Sequence, residues 1–404
     1  MGDTFRLVKY FWKLFTLLLL MIITFSYAMF QGGFVSWFLL YSFVPFSLYA
    51  LLLAFYSLED FTVERSLTRW DYYANEALTV KVTLKRNKPF PLLFLIVEDC
   101  LGESLENAAH ENQHKVFLFP GFRKVITYEY QIASLPRGEH ELQAVRLFTS
   151  DLLGLIEKEK HLKLKESILV HPAYEKLIFE SGNYYEQGIR ASNNRIQREA
   201  SMVAGIREYQ PGDRFSWINW KASARRNGMV TKEFEQLQSD DMLLIMDCTK
   251  DHRFETIVSF TASLGQAILQ TDAHVGFLAV GVERAAIPLH SGADGRQMLF
   301  YYLAKAKDDS PIPFDRVLST DSFLQQQQIS YVLVTAKLTS SLIESASKFT
   351  ARRFPVTIFV IKDLGEAIAS AELALKSRAK NYGIEITFIY KEQFSAGLMG
   401  VSRG

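Results

Sequence analysis

Two uncharged apolar runs stand near the start of this chain of 404 residues. They cover residues 14–30 and 34–56, and neither contains Asp, Glu, Lys or Arg. A helix rises about 1.5 Å per residue, so helices of these lengths cross most or all of a hydrocarbon core about 30 Å thick. The intervening Gln31-Gly32-Gly33 favours a tight turn. The pattern predicts a hairpin of two transmembrane helices over residues 1–57.

Basic residues on only one side of the first run predict its orientation. Arg6, Lys9 and Lys13 precede it, whereas the turn is uncharged, so the positive-inside rule places the N-terminus in the cytoplasm. Two crossings return the rest of the chain to that side, which predicts a multi-pass protein of the cell membrane with a large cytoplasmic C-terminal body. Two other interpretations stay open. One is a buried helical pair in a soluble protein, and the other is a signal peptide cleaved near Ser26-Tyr27-Ala28.

Charge, cysteine and histidine content narrow the class of protein. The chain has 45 Lys and Arg against 44 Asp and Glu, so no global positive field attracts it to nucleic acid, and we expect no such partner. Its two cysteines, Cys100 and Cys248, cannot form a disulfide framework, and this favours a reducing compartment. His110 and His114 have the spacing of helical metal ligands but no third ligand nearby, so we interpret them as part of a solvated loop.

From residue 58 to about residue 180 the hydrophobic pattern changes to period two. Alternating apolar and polar side chains are typical of half-buried strands, and a short continuous apolar run suits a strand buried on both faces. Turn-forming Pro and Gly residues separate these stretches. Short strands at this spacing predict an antiparallel β-sandwich-like domain. The predicted strands include 78–84, 92–97, 124–130 and 140–147.

A polar stretch separates the β-rich region from the rest of the chain. Residues 181–208 lack apolar periodicity and predict a linker or a surface loop. Pro211-Gly212 is a turn signal, because Pro presets one central turn residue and Gly allows a positive φ at the next. Asp213 is then placed to cap a helix that begins just after it. We therefore interpret residues 181–236 as a linker followed by a turn, a short helix and a strand.

Two tryptophans give this segment two competing interpretations. Trp217, Trp220 and Ala224 recur at spacings of three and four, so they share one face of the predicted helix. In the first interpretation the helix packs its indole rings against a neighbouring domain. In the second the segment is a recognition site, since Trp and Arg dominate binding hot spots. The candidate binding residues are Arg207, Tyr209, Gly212, Asp213, Trp217, Trp220 and Arg225.

The same segment carries a resemblance to a known family. The run from Arg207 to Arg225 resembles the signature of the "domain of unknown function 58" family, Arg-x-Tyr-x-Pro-Gly-Asp followed by Ile-x-Trp-x-x-x-Ala-Arg. Pro136-Arg137-Gly138 and residues 150–155 resemble the Arg-Gly and Asp-Pro-Phe-Gly-Leu segments of that family. Leu152 replaces the proline of the second segment, and Ser216 stands where members often carry a basic residue.

This resemblance implies a setting rather than a reaction. Members of the family resemble membrane-anchored proteins with a von Willebrand factor A-like domain. They are often associated with MoxR-type AAA+ ATPases and with transglutaminase-like membrane proteins. For this chain the resemblance therefore implies an integral membrane protein with a MoxR-type ATPase as its partner, and a transglutaminase-like membrane protein as a further one.

Residues 237–404 show strands that alternate with helices. Short apolar runs predict buried strands, and the longer amphipathic or Ala-rich stretches between them predict helices. This alternation implies right-handed crossovers and a mostly parallel sheet covered on both faces, which is a doubly wound α/β domain and agrees with the von Willebrand factor A-like expectation. The predicted strands are 242–246, 274–280, 331–334, 355–361 and 384–390, and the predicted helices are 254–269, 295–307, 338–349 and 365–382.

The first of these strands ends in residues that offer oxygen ligands. Ligands of such sheets bind beyond the carboxyl ends of the strands. Asp247, Thr249 and Asp251 follow the strand, and their oxygens suit Mg²⁺ or Mn²⁺. The resemblance implies Asp-x-Ser-x-Ser there, so Asp251 departs from it, and Thr335 stands at a later strand end where such a site needs an Asp. Two interpretations stay open, an intact metal site and a degenerate one in which Asp247 caps backbone amides. We expect no other cofactor.

These features together predict a non-enzymatic, membrane-tethered interaction module that is accessory to a MoxR-type ATPase in a cell-envelope process. The strand-end face or the tryptophan segment would bind the partner. The sequence has no Gly-rich phosphate loop, no Gly-x-Ser-x-Gly elbow and no Cys/His zinc cluster. Two alternatives stay open. One is a metal-assisted hydrolase built on Asp247, Thr249, Asp251 and His252, and the other is a structural scaffold in envelope assembly.

Overall fold

The computed structural model divides the chain into two compact units, Met1–His171 and Pro172–Gly404. Three sequence-based predictions lie wholly or partly outside the residues that it describes. They concern His110, Gly212 and residues 181–201 of the linker. The described residues are 2–69, 71–109, 114–177, 202–210, 213, 215–226, 228–235, 241–271, 273–321, 323–324, 329–352, 354–391 and 394.

Two long helices open the first unit. Helix α1 spans Gly2–Gln31 and helix α2 spans Phe34–Phe55. The turn between them holds Gly32 and Gly33 at φ values of 57° and 99°, which residues with a Cβ rarely adopt. Over Trp12–Gln31 and the whole of α2, the helices are long and apolar enough to cross a membrane. Most of their large apolar side chains are exposed on the helix surface.

Two sheets follow the helices, and their strands show the predicted alternation. The strands are β1 (Phe61–Leu67), β2 (Tyr72–Tyr73), β3 (Leu78–Arg86), β4 (Leu95–Leu101), β5 (Lys115–Leu118), β6 (Val125–Ile132), β7 (Gly138–Ser150) and β8 (Glu157–His171), with helix α3 (Glu103–Ala108) after β4. A three-stranded antiparallel sheet has the order β1-β3-β6. A five-stranded sheet has the order β2-β8-β7-β4-β5, antiparallel except for the short β2–β8 pair.

Two details of this region differ from the prediction. The strand expected at residues 92–97 begins only at Leu95, because Leu92 forms an isolated bridge with Gly121 through backbone hydrogen bonds of 3.2 and 3.0 Å. The long strand β8 was not predicted. Its first half places charged residues at successive positions, and these hide the period-two pattern.

The middle of α1, the end of α2 and the two sheets share one hydrophobic core. Leu17 of α1 and Leu53 and Ala54 of α2 are buried in the same cluster as strand residues such as Val80 and Leu147. Burial of apolar surface stabilises by roughly 25 cal/mol per Å². The end of the helical hairpin is therefore a packed part of the first unit and not a loosely tethered tail.

Polar contacts fix the same junction. Lys158 at the start of β8 donates from Nζ to the carbonyl oxygens of Ala54, at 2.8 Å, and of Tyr56. The last carbonyls of a helix lack partners within the helix, so the lysine supplies what the end of α2 needs. Lys13 of α1 pairs with Glu157 at 2.8 Å. The two helices thus have a fixed position relative to the strands.

A buried ion pair joins the two sheets. Arg65 of β1 donates from Nε and Nη2 to the carboxylate of Asp99 on β4, at 3.1 and 2.6 Å, and both side chains are fully buried. Tyr130 of β6 donates its hydroxyl to the same carboxylate at 2.8 Å. Burial, reinforced by the negative charge of Asp99, raises the pKa of Tyr130 well above its ordinary value, so the hydroxyl stays protonated and remains a donor.

The second unit contains a small hairpin segment and a six-stranded sheet. The sheet has the order β13-β12-β11-β14-β15-β16, and every neighbouring pair is parallel except β12–β13. The elements are β9 (Met202–Glu208), α4 (Trp220–Arg226), β10 (Val230–Glu235), β11 (Met242–Met246), α5 (Phe254–Leu269), β12 (Val275–Val280), β13 (Arg284–His290), α6 (Gly292–Lys305), α7 (Phe314–Thr320), β14 (Ser330–Thr335), α8 (Ser340–Ala351), β15 (Val356–Lys362), α9 (Ser370–Asn381) and β16 (Ile384–Tyr390).

Each strand predicted in this sheet is present, but β13 and α7 were missed. Pro288 inside β13 hides the strand pattern, and a proline is tolerated there because β13 lies at the sheet edge. The helix predicted at 365–382 begins only at Ser370, because Gly365 has a φ of 80° in the preceding turn. The predicted bounds of α6 and α8 differ from the observed ones by two or three residues.

Asp99→Ala is expected to lower the free energy of unfolding of the first unit by about 3–5 kcal/mol, because it removes the buried carboxylate that pairs with the Arg65 guanidinium and leaves only a longer contact with Glu166 at 3.5 Å. A matched control is Glu64→Ala, which removes the exposed partner of Lys85 and should cost less than about 1 kcal/mol. Thermal unfolding of the full chain in detergent compares the two variants. Similar losses in both would contradict the structural role of the buried pair.

Candidate functional site

The segment that carries the family signature folds as a small antiparallel hairpin. Strands β9 and β10 pair with Arg207 opposite Thr231 and Glu208 opposite Val230. The prediction of a linker over residues 181–208 is therefore wrong for residues 202–208. The short apolar stretch of β9 pairs with a strand that is distant along the chain, and local periodicity cannot reveal such a pairing.

Asp213 holds the connection between the two strands. Its carboxylate accepts hydrogen bonds from Arg207 Nη2 at 2.8 Å, from the Gln210 amide at 3.0 Å and from Thr231 Oγ1 at 3.4 Å. The hydrogen bond from Arg207, followed by that from Gln210, lowers the pKa of Asp213 below its ordinary value of 3.8. The carboxylate thus keeps its charge to a lower pH than a free aspartate, and its contribution to stability is lost as the pH falls through this lowered pKa. Asp213 therefore fixes a turn and does not cap the helix as predicted.

The helix of this segment begins later than predicted. A single 3₁₀ turn spans Phe215–Trp217, and α4 begins only at Trp220. Asn219 takes the capping position, because its Oδ1 accepts a hydrogen bond from the Ala222 amide at 3.2 Å. Trp217 precedes the helix, so the prediction that it shares a helical face with Trp220 is wrong.

Large apolar side chains of this hairpin are exposed. Phe215 is 71% exposed and Trp220 is 64% exposed, and Met229 is exposed as well. Lys221 and Arg225 of α4 lie among the exposed residues of the same segment. We call these five residues the signature surface. Since its two largest members are aromatic and its charges are positive, it has the composition of a binding hot spot.

The predicted binding residues fall into two groups by exposure. Trp220 and Arg225 are exposed and are free to contact a partner. The other predicted residues that the structure describes are partly buried in the hairpin. Sequence reasoning missed Ile218, which is buried and forms a bridge with Thr231. The partly buried residues are Arg207, Tyr209, Asp213 and Trp217.

A second group of predicted residues lies at the carboxyl end of β11. One oxygen of the buried Asp247 carboxylate accepts from the amide and hydroxyl of Thr249, at 2.9 and 2.7 Å, and the other accepts from Thr335 Oγ1 at 2.6 Å. Burial raises the pKa of Asp247, and although the donors from Thr335 and Thr249 lower it, the net value stays above 3.8. Protein donors therefore engage both carboxylate oxygens, and Asp247 accepts one backbone amide.

Asp251 is engaged by two positively charged side chains. Arg253 donates from Nε and Nη2 to its carboxylate at 3.0 and 3.3 Å, and Lys337 Nζ lies 3.3 Å from it. Burial alone would raise the pKa of Asp251, but the hydrogen bonds and charge of Arg253, with Lys337, outweigh it and lower the pKa far below its ordinary value. The nearby His252 pairs with Asp363 at 2.7 Å.

This donor set does not fit Mg²⁺ or Mn²⁺. Hard cations require several oxygen ligands with available lone pairs, whereas the Lys337 ammonium stands beside Asp251 and would repel a second cation. Within the described part of the chain, no group of three or more His, Cys, Asp or Glu residues could hold a metal ion.

A cavity of about 380 Å³ opens at the same edge of the sheet. Thr339 lies in its wall and caps α8, since its hydroxyl accepts from the Leu342 amide at 3.2 Å. Sequence reasoning missed Lys337 and Thr339, although both follow the carboxyl end of β14, where the strand-end rule places ligands. The polar lining residues are Asp247, Thr249, Ser310, Asp315, Lys337 and Thr339.

Comparison with known proteins decides the family. The model of the family described as "Protein of unknown function DUF58" matches residues 205–385, which contain most of the hairpin and most of the six-stranded sheet. An uncharacterized protein of Bacillus subtilis (strain 168), YeaD, is 38% identical over 392 residues, which are 96% of this chain and 97% of that protein. This chain belongs to the DUF58 family. The resemblance found in the sequence is confirmed.

Two solved structures are each similar to part of this DUF58 protein. The Rpn10 VWA domain is 11% identical, with 41% of this chain and 98% of that domain covered and a TM-score of 0.32. The CARDB domain of a Pyrococcus furiosus protein, in complex with di-metal ions, is 12% identical, with 28% and 92% covered and a TM-score of 0.20. Neither similarity is close enough to bear on the function of the DUF58 chain.

Asp213→Ala is expected to loosen the β9–β10 hairpin and leave the six-stranded sheet folded, because it removes the acceptor shared by Arg207, Gln210 and Thr231. Limited proteolysis with mapping of the fragments should show cleavage within residues 202–235 that is at least several-fold faster. The exposed Asp71 supplies a control, Asp71→Ala, for which this cleavage rate should not change. A rate in Asp213→Ala equal to that of the control would show that the carboxylate does not hold the hairpin.

Titration calorimetry of the full chain in detergent with Mg²⁺ or Mn²⁺ is expected to give no saturable heat, because Lys337 and Arg253 already neutralise Asp251. Asp247→Ala serves as the comparison, and its trace should match that of the unsubstituted chain. A saturable heat that vanishes in Asp247→Ala would restore the metal site that the spacing of Asp247, Thr249 and Asp251 suggested.

Proposed function

We propose that this DUF58 protein is a non-enzymatic interaction module, held at the cell membrane by α1 and α2 with its N-terminus and its large C-terminal body in the cytoplasm. Two helices of sufficient length and hydropathy support the anchoring. The basic residues Arg6, Lys9 and Lys13 before the first span support the orientation. The contact of Lys13 with Glu157 is consistent with it, because both must then lie on the cytoplasmic side.

In this proposal the helical anchor carries two folded domains. The three- and five-stranded sheets, which bury their apolar faces in one core, form a β-sandwich-like domain. The six-stranded sheet with its helices is a doubly wound domain of the von Willebrand factor A-like kind, with one antiparallel edge strand. The parallel strands bring Thr249, Thr335 and Lys337 to one edge, where such sheets bind their ligands.

The observation that carries the proposal is the exposure of the signature surface. Hydrogen bonds of Asp213 and Asn219 hold the segment in shape, yet Phe215 and Trp220 remain largely in contact with solvent. A rigid segment that presents aromatic rings loses little conformational entropy when a partner covers it. We infer that this surface is the contact site for a partner protein.

A MoxR-type AAA+ ATPase is the first partner to test, with a transglutaminase-like membrane protein as the second. Family resemblance suggests both, and the positive charge of Lys221 and Arg225 suggests that the contacted face is acidic. The role would be accessory to such an ATPase in a cell-envelope process. A purely structural scaffold in envelope assembly would use the same anchor but would have no ATPase partner.

The metal-assisted hydrolase is less well supported than the interaction module. Its hypothetical ligand Asp251 is paired with Arg253 and Lys337, and its hypothetical base His252 is paired with Asp363. General acid–base catalysis needs a group that can reach a reacting atom, and these groups are engaged with one another. The arrangement favours binding over bond cleavage.

Trp220→Ala is expected to reduce recovery of the ATPase in co-purification from native membranes by about tenfold or more, since truncation of a hot-spot residue costs on the order of 2 kcal/mol. Asp213→Ala should reduce it as well, because it loosens the segment that presents Trp220. Tyr382→Ala removes an exposed aromatic ring elsewhere in the second unit and should leave recovery unchanged.

Two outcomes would contradict this proposal in different ways. Full recovery with Trp220→Ala and Asp213→Ala would show that the partner binds elsewhere. Absence of any ATPase from the material recovered with the unsubstituted chain, with the protein intact in the membrane, would favour the scaffold alternative. Thermal unfolding of each variant shows whether a loss of recovery reflects the surface and not the fold.

A further inference from the structure

Several large apolar side chains of the β region are exposed at loops that follow or precede its strands. Phe119 is 74% exposed, Phe122 is 68% exposed and Leu152 is 60% exposed, and Leu93 and Leu153 are exposed as well. We call these five residues the loop surface. Exposed apolar side chains that stand singly are ordinary, whereas a contiguous group of them marks an interaction site.

Backbone and side-chain contacts place these loops together. Leu92 and Gly121 form a bridge through two backbone hydrogen bonds, so Leu93 lies next to the loop that contains Phe119 and Phe122. Thr149 Oγ1 donates to the carbonyl oxygen of Phe94 at 2.7 Å, which brings the end of β7 to the start of β4. The loop between β7 and β8, with its two leucines, therefore adjoins the same edge.

The same edge touches the end of the helical hairpin. The Leu93 amide donates to the Tyr49 hydroxyl at 3.2 Å, and the rings of Tyr56 and Phe90 stack with centroids 4.6 Å apart. Lys158, just after the loop between β7 and β8, donates to the last carbonyls of α2. The loop surface is therefore continuous with the cytoplasmic end of the proposed anchor.

The length of α2 indicates how deep in a bilayer these contacts would lie. Its 22 residues rise about 33 Å, close to the thickness of the hydrocarbon core, which is about 30 Å. Tyr49 lies six residues before the end at Phe55, or about 9 Å along the helix axis, so its ring belongs to the outer part of the membrane. Leu93, whose amide donates to the hydroxyl of that tyrosine, therefore lies close to the lipid.

Cations stand beside the loop surface. Lys88, Arg123 and Lys124 are exposed, and the Lys88 amide is tied to Asp60, directly after the anchor, at 2.6 Å. Asp60 and Glu157 bring negative charge to the same edge, but Glu157 is neutralised by Lys13. Basic side chains at this level suit the anionic headgroups of an inner leaflet, and aromatic rings prefer the interface.

We propose that the loop surface inserts into the cytoplasmic leaflet beside the anchor, so that the β region lies on the membrane and does not extend from it on a stalk. The partner of this surface is the lipid bilayer, at the boundary of headgroups and acyl chains. The inference rests on the proposed membrane anchoring and goes beyond it, because two crossing helices alone would leave Phe119 and Leu153 in water.

Site-directed spin labelling of the full chain in vesicles of phosphatidylglycerol and phosphatidylethanolamine tests this inference. Phe119→Cys and Leu153→Cys, each in a background of Cys100→Ser and Cys248→Ser, carry one label at the loop surface. Leu39→Cys places a label on the exposed side of α2, and Glu129→Cys places one on an outward position of β6. Collision rates with molecular oxygen, which concentrates in lipid, and with a water-soluble nickel complex give the environment of each label.

The ratio of oxygen to nickel collisions at residues 119 and 153 is expected to approach that at residue 39 and to exceed that at residue 129 several-fold. A ratio at both loop positions equal to that at residue 129, with residue 39 in lipid, would overturn the insertion and leave the anchoring intact. Labels shielded from both reagents would also overturn it, because protein would then cover the surface. A label at residue 39 that meets the nickel complex freely would instead refute the anchoring itself.

Discussion

One face of the last turn of α2 is buried in the core of the β region, where Leu53 is fully enclosed and Lys158 donates to the carbonyl oxygens of Ala54 and Tyr56. A helix end whose inner face is packed in this way cannot tilt without disrupting that core, since protein interiors are close-packed. The strands and the helical hairpin must therefore move as one body. If the hairpin crosses a bilayer, the bilayer sets the level and orientation of the neighbouring loops. Exposed apolar side chains at those loops are then placed next to the membrane, which would not hold on a domain that moves freely.

Three aspartates show how the surroundings of a carboxylate decide what it can do. Asp99 is buried beside Arg65, so its charge is compensated and serves to join two sheets. Asp213 is bound by Arg207 near the surface and keeps its charge to low pH. Asp247 is buried among hydroxyl and amide donors, and desolvation raises its pKa. A buried carboxylate such as Asp247 is a poor ligand for a cation unless other negatively charged groups lie beside it. The next carboxylate along the chain, Asp251, is already paired with Arg253 and Lys337.

Local sequence patterns were sufficient wherever an element depends mainly on its own residues. The two apolar runs became α1 and α2, and alternation identified β3 and β6, because each of these signals is complete within a single element. The predictions failed where a residue distant along the chain determines the local structure. Strand β9 exists because β10 pairs with it, and Asp213 left the capping role to Asn219 because Arg207 and Thr231 bind its carboxylate. The sequence marked out the signature segment, but it did not predict which of its side chains are exposed, since helical periodicity assumes that apolar residues are buried.

The shape of the signature surface has a physical origin in that same hairpin. Helix α4 has only seven residues, and a helix of that length is not stable by itself in water. It persists because Ile218 is buried beside Thr231 and because Ser223 Oγ accepts the Val230 amide at 2.9 Å, which fixes the helix to β10. The burial of Ile218 stabilises the segment. Trp220 is not needed for this packing, so its ring can remain exposed. A partner that covers Trp220 therefore meets an ordered ring, and the free energy of that contact is not spent on folding the segment.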